Sequence, residues 1–135
     1  MLGGSLAVLS SESSNLAEIR QEVTKIASRY GVFQCVECSQ AIKEFLIARN
    51  VSGKQIKLDL GRRDLPWSVI YDLRREQQIA TNGYHEGIVI VIDCQEIVFD
   101  NVDYSGVLRE DWIQNLTSPT LELGMGSFLI TEEEF

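Results

Sequence analysis

The stretch Phe33-Gln34-Cys35-Val36-Glu37-Cys38-Ser39-Gln40-Ala41-Ile42 puts two cysteines three residues apart where a helix is expected to begin. A Cys-x-x-Cys there reads in three ways: half of a zinc knuckle, a redox pair, or one reactive thiol with a buried neighbour. The surrounding chain has to separate them. Cys38 falls in the apolar stripe of the expected helix with Ala41, Ile42, Phe45 and Leu46, while Glu37, Lys43, Glu44 and Arg49 lie outside it. That makes Cys38 a small core residue. Cys35 sits in the first turn, where unpaired amides and the positive end of the helix dipole favour a thiolate.

Upstream, Leu16, Ile19, Val23, Ile26, Ala27 and Tyr30 recur at helical spacing, which predicts a helix over 15–30, capped by Ser14 or Asn15 and ended by Gly31. Downstream, the second helix, 35–49, stops at Asn50 and Ser52-Gly53. Lys54 to Leu60 then alternates as a half-buried strand. Trp67 to Leu73 reads as strand or short helix, and Asn82-Gly83 as a turn. Ile88-Val89-Ile90-Val91-Ile92 is a strand buried on both faces. Asp93 to Glu96 turns the chain and Ile97-Val98-Phe99 returns as its hairpin partner. A short helix near 109–116 and a small strand near 127–130 follow. Two helices and then about four mainly antiparallel strands predict an α+β domain with the helices on one face. The expected layout is an N-terminal arm over 1–13, one domain over 14–130 and a solvated acidic tail over 131–135, with Glu132, Glu133 and Glu134 in the tail.

The 135 residues suffice for one domain with a core of its own. Against 12 basic side chains stand 20 acidic ones, a net charge of −8. Arg62-Arg63 and Arg74-Arg75 are the best basic clusters, and Asp64, Asp72 and Glu76 flank them, so nucleic acid and anionic membrane are poor partners. Three cysteines form no disulfide framework and predict reduced thiols, hence a cytoplasmic setting. The opening segment lacks the basic start of a signal peptide. Leu121, Leu123 and Met125 either complete the core or make a homodimer contact; otherwise the chain is a monomer.

His85 is the one histidine, placed just after Asn82-Gly83 and before the core strand. If the hairpin closes at 93–96, the start of its first strand lies beside the end of its second. His85 and either Asp100 or Asn101 then share one end of the sheet, where a polar neighbour can fix the histidine's tautomer. A zinc site using Cys35, Cys38, His85 and Cys94 fails on distance, because the strand separates His85 from Cys94 by about 27–30 Å. No metal or other cofactor is expected. The redox reading lacks the β-α-β context such motifs need. A helix-start thiol, a strand-start histidine and a polar residue on the next strand make a papain-type constellation. Each part also has a plain structural reading: helix start, loop histidine, turn.

Three segments, F-Q-C-V-E-C-S-Q-A-I-K-E-F-L, N-G-Y-H-E-G-I-V-I and V-F-D-N-V-D-Y-S-G-V-L-R-E-D-W, occur in an order that resembles the papain fold toxin 2 family, over roughly Leu16 to Leu116. The resemblance implies a circularly rearranged, NlpC-type papain-like fold. It also implies a toxin domain of bacterial polymorphic systems that acts as a peptidase or deamidase on proteins or peptides, delivered by a secretion system and matched by an immunity protein. Carried over, Cys35 is the nucleophile, His85 the general base and Asp100 the orienter, with Asn101 its rival. Gln34 joins the Cys35 amide in holding the oxyanion, Gly87 allows close packing and Trp112 anchors the core. A papain-shaped module that only binds is the alternative.

Overall fold

The computed structural model describes residues 2–63 and 65–135, with side chains from Asn15 onward. Helix α1 runs Leu2–Ala27, so it begins well before Asn15, and the helical backbone takes in most of the stretch expected as an arm over 1–13. Met1 and the side chains of 2–14 lie outside the described residues. The chain leaves α1 through short turns at Arg29 and Tyr30 and enters α2, Cys35–Ala48. Asn50, in the left-handed region at φ 58°, closes α2, a conformation that asparagine tolerates.

The strands are β1 (Lys54–Asp59), β2 (Ile70–Asp72), β3 (Gln77–Ala80), β4 (Tyr84–Ile92), β5 (Gln95–Phe99), β6 (Val107–Leu108), β7 (Leu116–Thr117) and β8 (Leu129–Glu134). Helix α3 covers Arg109–Gln114 and α4 covers Pro119–Glu122. A five-stranded sheet has the order β6-β5-β4-β1-β8, and a three-stranded sheet the order β3-β2-β7, with every pair antiparallel. This is α+β architecture.

Residue parity on β4 decides what each face of the large sheet does. Ile88, Ile90 and Ile92, with Ile97 and Phe99 of β5, meet Ile19, Val23 and Ala27 of α1 and Cys38, Ile42 and Leu46 of α2. Cys38 is therefore a core residue. On the other face, Val89, Val98, Ile56 and Leu58 meet Trp112 of α3, Leu116 of β7, and Ile70 and Ile79 of the small sheet. Helices α1 and α2 do share one face. The other is covered by α3 and the three-stranded sheet, of which only β2, within the stretch 67–73 that reads as strand or short helix, is foreshadowed.

The β4–β5 turn is tighter than expected. Only Asp93 and Cys94 lie between the strands, both at positive φ (52° and 62°), as a two-residue I′ turn requires. The glutamates of the acidic tail expected over 131–135 are solvated, but they are not a separate tail: the strand expected near 127–130 runs on through them as edge strand β8, 129–134, paired along β1. Lys57 meets Glu133 at 2.9 Å, Lys54 meets Glu132 at 3.5 Å, and Arg109 also contacts Glu132. Leu123 and Met125 are exposed and do not complete the core.

Gly87 sits where β4 passes beneath Trp112. A Cβ there would lie 2.9 Å from Val98 Cγ1, 3.1 Å from the Phe99 carbonyl oxygen and 3.4 Å from Trp112 Cζ2. Two of these neighbours belong to packed side chains and one is backbone, so none yields cheaply. Gly87→Ala is expected to cost about 1–3 kcal/mol, read as a lowered urea midpoint with unchanged slope. An unchanged midpoint would mean the strand has slack at this point.

Candidate active site

Between α1 and α2 the chain makes one tight turn. The Gly31 amide donates to Gln34 Oε1 at 2.7 Å, and the Gln34 amide donates back to the Gly31 carbonyl at 3.2 Å. Phe33, caught between them, takes φ 74°, a region bulky non-glycine residues seldom occupy. Asn101 Nδ2 donates to the same Gly31 carbonyl at 2.8 Å and so ties this turn to the end of β5. Cys35 is the first residue of α2, buried with 7% of its surface exposed. Gln34, the N-cap, makes no side-chain hydrogen bond to the first turn, so no cap side chain claims the amides beyond it.

His85 is the second residue of β4 and fully buried. Its Nε2 lies 2.7 Å from Asp100 Oδ2, just beyond the end of β5. Strand pairing explains the meeting: Ile88 pairs with Phe99, so the next residue along the hairpin, Asp100, comes up beside the start of β4. Asn101, the rival for this position, points its amide to Gly31 instead. Asp100 is saturated with donors. Oδ2 also accepts from Trp112 Nε1 at 2.7 Å, and Oδ1 accepts from the Val102 amide at 2.8 Å and the Asp103 amide at 2.5 Å. The Trp112 ring stacks on His85 with centroids 5.7 Å apart.

Burial works against charge on both partners, and their mutual attraction overrides it. For His85, the hydrogen bond and charge of Asp100, joined by the nearby Cys35 thiol, raise the pKa to about 10. For Asp100, the His85 contact, the Trp112 donor and the Asp103 amide hold the carboxyl below its ordinary value. With Nε2 committed to Asp100, Nδ1 is the ring atom left over, buried and without a hydrogen bond. Asp100 thus fixes the ring's orientation through Nε2 and leaves Nδ1 as the nitrogen without a partner.

Cys35 opens into a cleft of about 100 Å³ lined by Phe33, Val36, Ile79, Ala80 and Tyr84 and rimmed by Thr81 and Asn82. The small sheet therefore supplies the far wall. Tyr84 donates its hydroxyl to the buried Glu86 at 2.8 Å, and burial together with that bond raises the phenol's pKa. Around the base of the site, Arg75 Nη1 lies 2.9 Å from both Asp72 and Asp103. It pins the 100–103 turn whose amides hold Asp100.

The structure brings together Cys35, His85 and Asp100, and sets Gln34 and Asn101 in the turn that carries the cysteine. Sequence reasoning missed Trp112 as a donor, although a buried indole N–H needs a partner. It also missed the role of Asp103, although Asp100-Asn-Val-Asp103 has the side-chain-to-backbone turn chemistry that aspartate favours. Cys94 lies at the hairpin tip, far from His85 along β4. Among the described residues no group of three or more His, Cys, Asp or Glu side chains is placed to hold a metal ion. Among them, too, no helix is long and apolar enough to cross a membrane.

Compared with known families, residues 18–117 match the model of the family described as papain fold toxin 2. No curated protein and no solved structure matches the chain.

Proposed function

Because the chain belongs to the papain fold toxin 2 family, and so is a toxin domain with a papain-like fold, we propose that it hydrolyses amide bonds in a protein or peptide, with Cys35 as nucleophile, His85 as proton carrier and Asp100 as orienter. The observation that carries this reading is the buried His85–Asp100 pair, which leaves one ring nitrogen without a partner and has the Cys35 thiol close enough to raise the histidine's pKa. The helix precedes the histidine strand, which suits the circularly rearranged, NlpC-type order.

In the proposed reaction the Cys35 thiolate adds to the amide carbon. The oxyanion is held by the Cys35 amide and by Gln34, whose Oε1 is anchored to Gly31 while its Nε2 donates to no protein acceptor among the described residues. His85 Nδ1 gives its proton to the departing amine. Having given up that proton, His85 is the neutral ring and takes one from the water that resolves the thioester. Asp100 keeps the ring in place throughout. Peptide cleavage and glutamine deamidation share every step and differ in the amide the cleft admits. The partners of this reading are a protein substrate and an immunity protein that covers the cleft. Three free thiols suit a reducing interior such as the cytoplasm of the cell attacked.

The test compares alkylation rates at Cys35 and Cys94 by peptide mass spectrometry. Cys94 is exposed and Cys35 is buried, so access alone favours Cys94. Near pH 6.5 iodoacetamide is expected to label Cys35 about tenfold faster than Cys94, and His85→Ala to erase that advantage. Cys35 labelling slower than Cys94 in the wild type, or indifferent to His85, would leave a papain-shaped module that only binds.

A further inference from the structure

Cys38 is absorbed by the core, yet it is not merely apolar filling. It lies one helical turn from Cys35 in the first turn of α2, where its amide donates to the Gln34 carbonyl at 3.0 Å. Residues three apart in an α-helix have Cα atoms about 5 Å apart, inside the range of roughly 4.4–6.8 Å that a disulfide spans. Bringing the two sulfurs together puts only that first-turn hydrogen bond at risk, because the amides before it have no intrahelical partner. The two thiols also differ in kind. Cys35 borders an open cleft and a histidine; Cys38 is fully buried, and burial, followed by the charges of Asp100, Cys35 and Glu86, pushes its thiol up to about 12. An oxidant entering the cleft therefore meets Cys35 first.

We propose that Cys38 is the resolving thiol of a redox switch: a peroxide oxidises Cys35, and Cys38 captures the product as a reversible Cys35–Cys38 disulfide. The proposal rests on the reading of Cys35 as the reactive thiol and adds a means of regulating and protecting it. In the first step the Cys35 sulfur attacks one peroxide oxygen. An S–O bond forms, the O–O bond breaks, and the departing hydroxide takes a proton from His85 to leave as water. Cys35 is oxidised to a sulfenic acid and the peroxide is reduced. In the second step the Cys38 sulfur attacks the Cys35 sulfur. The S–S bond forms, the S–O bond breaks, and the hydroxyl leaves with the Cys38 proton as a second water. Two thiols and one peroxide give one disulfide and two waters.

The cleft of about 100 Å³ admits hydrogen peroxide, which is close in size to water. Cys94, at the far tip of the β4–β5 hairpin, cannot reach Cys35 within one molecule. Without Cys38 the sulfenic acid has no neighbouring thiol and proceeds to sulfinic acid, which thiols do not reverse.

The experiment uses the full chain carrying Cys94→Ser, with and without Cys38→Ala, exposed to excess hydrogen peroxide and then dithiothreitol. Non-reducing peptide maps are expected to show Cys35 linked to Cys38, and dithiothreitol to restore Cys35 alkylation. In the Cys38→Ala protein, Cys35 is expected to carry two added oxygens, with recoverable alkylation about tenfold lower. Equal over-oxidation of Cys35 in both proteins, or no linked peptide when Cys38 is intact, overturns the proposal, and the second result needs no variant. Alkylation before peroxide scores the hydrolase reading separately. Fast Cys35 labelling without a link sinks the switch alone; a link without fast labelling sinks the hydrolase reading and keeps the disulfide.

Discussion

Asp100→Ala is expected to cost about 3–5 kcal/mol of folding stability, the range seen when one partner of a buried ion pair is removed. Asp100 is 1% exposed and holds four donors: the His85 ring, the Trp112 indole and the amides of Val102 and Asp103. Truncation strands all four in a site closed to water. His85 also loses the group that overcomes its burial, so its pKa should fall and the ring should become neutral near pH 7. Asp100→Asn keeps the shape but places an N–H₂ against donors on one side or the other, so it should recover only part of the loss. Equilibrium urea unfolding at neutral pH measures both variants. A loss below about 1 kcal/mol for Asp100→Ala would mean that water reaches the site and replaces the carboxylate.

The second large effect is a loss of stability on the alkaline side. His85 has a folded-state pKa near 10, above the ordinary 6.5. A group raised on folding contributes its full stability below its unfolded pKa and loses it as pH climbs to the folded one. Unfolding free energy should therefore fall between pH 6.5 and about 10, with a slope approaching ~1.4 kcal/mol per pH unit. Asp100 acts in the opposite sense: its pKa is lowered on folding, so its contribution holds above the ordinary carboxyl range and fades as pH drops through the folded value. The pair thus stabilises the fold most between the ordinary carboxyl range and pH 6.5, in weakly acidic solution. Urea titrations of wild type and His85→Ala at pH 6.5, 8 and 10 isolate the effect, since other alkaline groups are common to both proteins. A wild-type slope no steeper than that of His85→Ala would show that the folded ring is neutral.

Much of this site was legible because it depends on long periodic elements. The alternation at Ile56 and Leu58 and the apolar run 88–92 give β1 and the β4–β5 hairpin, and hairpin arithmetic brings the pair Asp100-Asn101 to the His85 end of the sheet. The α2 stripe separates Cys35 from Cys38 for the same reason. What stayed hidden is short or disguised. β2, β3 and β7 are two to four residues long, too few for a period of two to register, yet β3 lines the cleft with Ile79 and Ala80. β8 is half legible: the strand expected near 127–130 catches Leu129 and Ile130, but the three consecutive glutamates that continue it are exposed, and their cross-strand ion pairs with Lys54 and Lys57 appear only once β1 lies beside them. The choice between Asp100 and Asn101 was also closed to sequence. It depends on which side chain faces the sheet interior and which faces the Gly31 turn.

Alternate residues of β4 belong to different halves of the molecule. His85 and Gly87 face the Trp112 side, while Ile88 and Ile90 carry the helices. Cys35 is mounted on α2 in the helical layer while the His85 ring stacks on Trp112, so thiol and imidazole belong to different layers. Their alignment works like a vernier. A slide of α2 across the isoleucine surface by a fraction of a side chain would part thiol from imidazole while each half kept its own interlocking. Cys35 reactivity is then a gauge of how the two layers are seated, and substitutions along the α2–β4 seam far from the cleft should detune the chemistry before they loosen the fold.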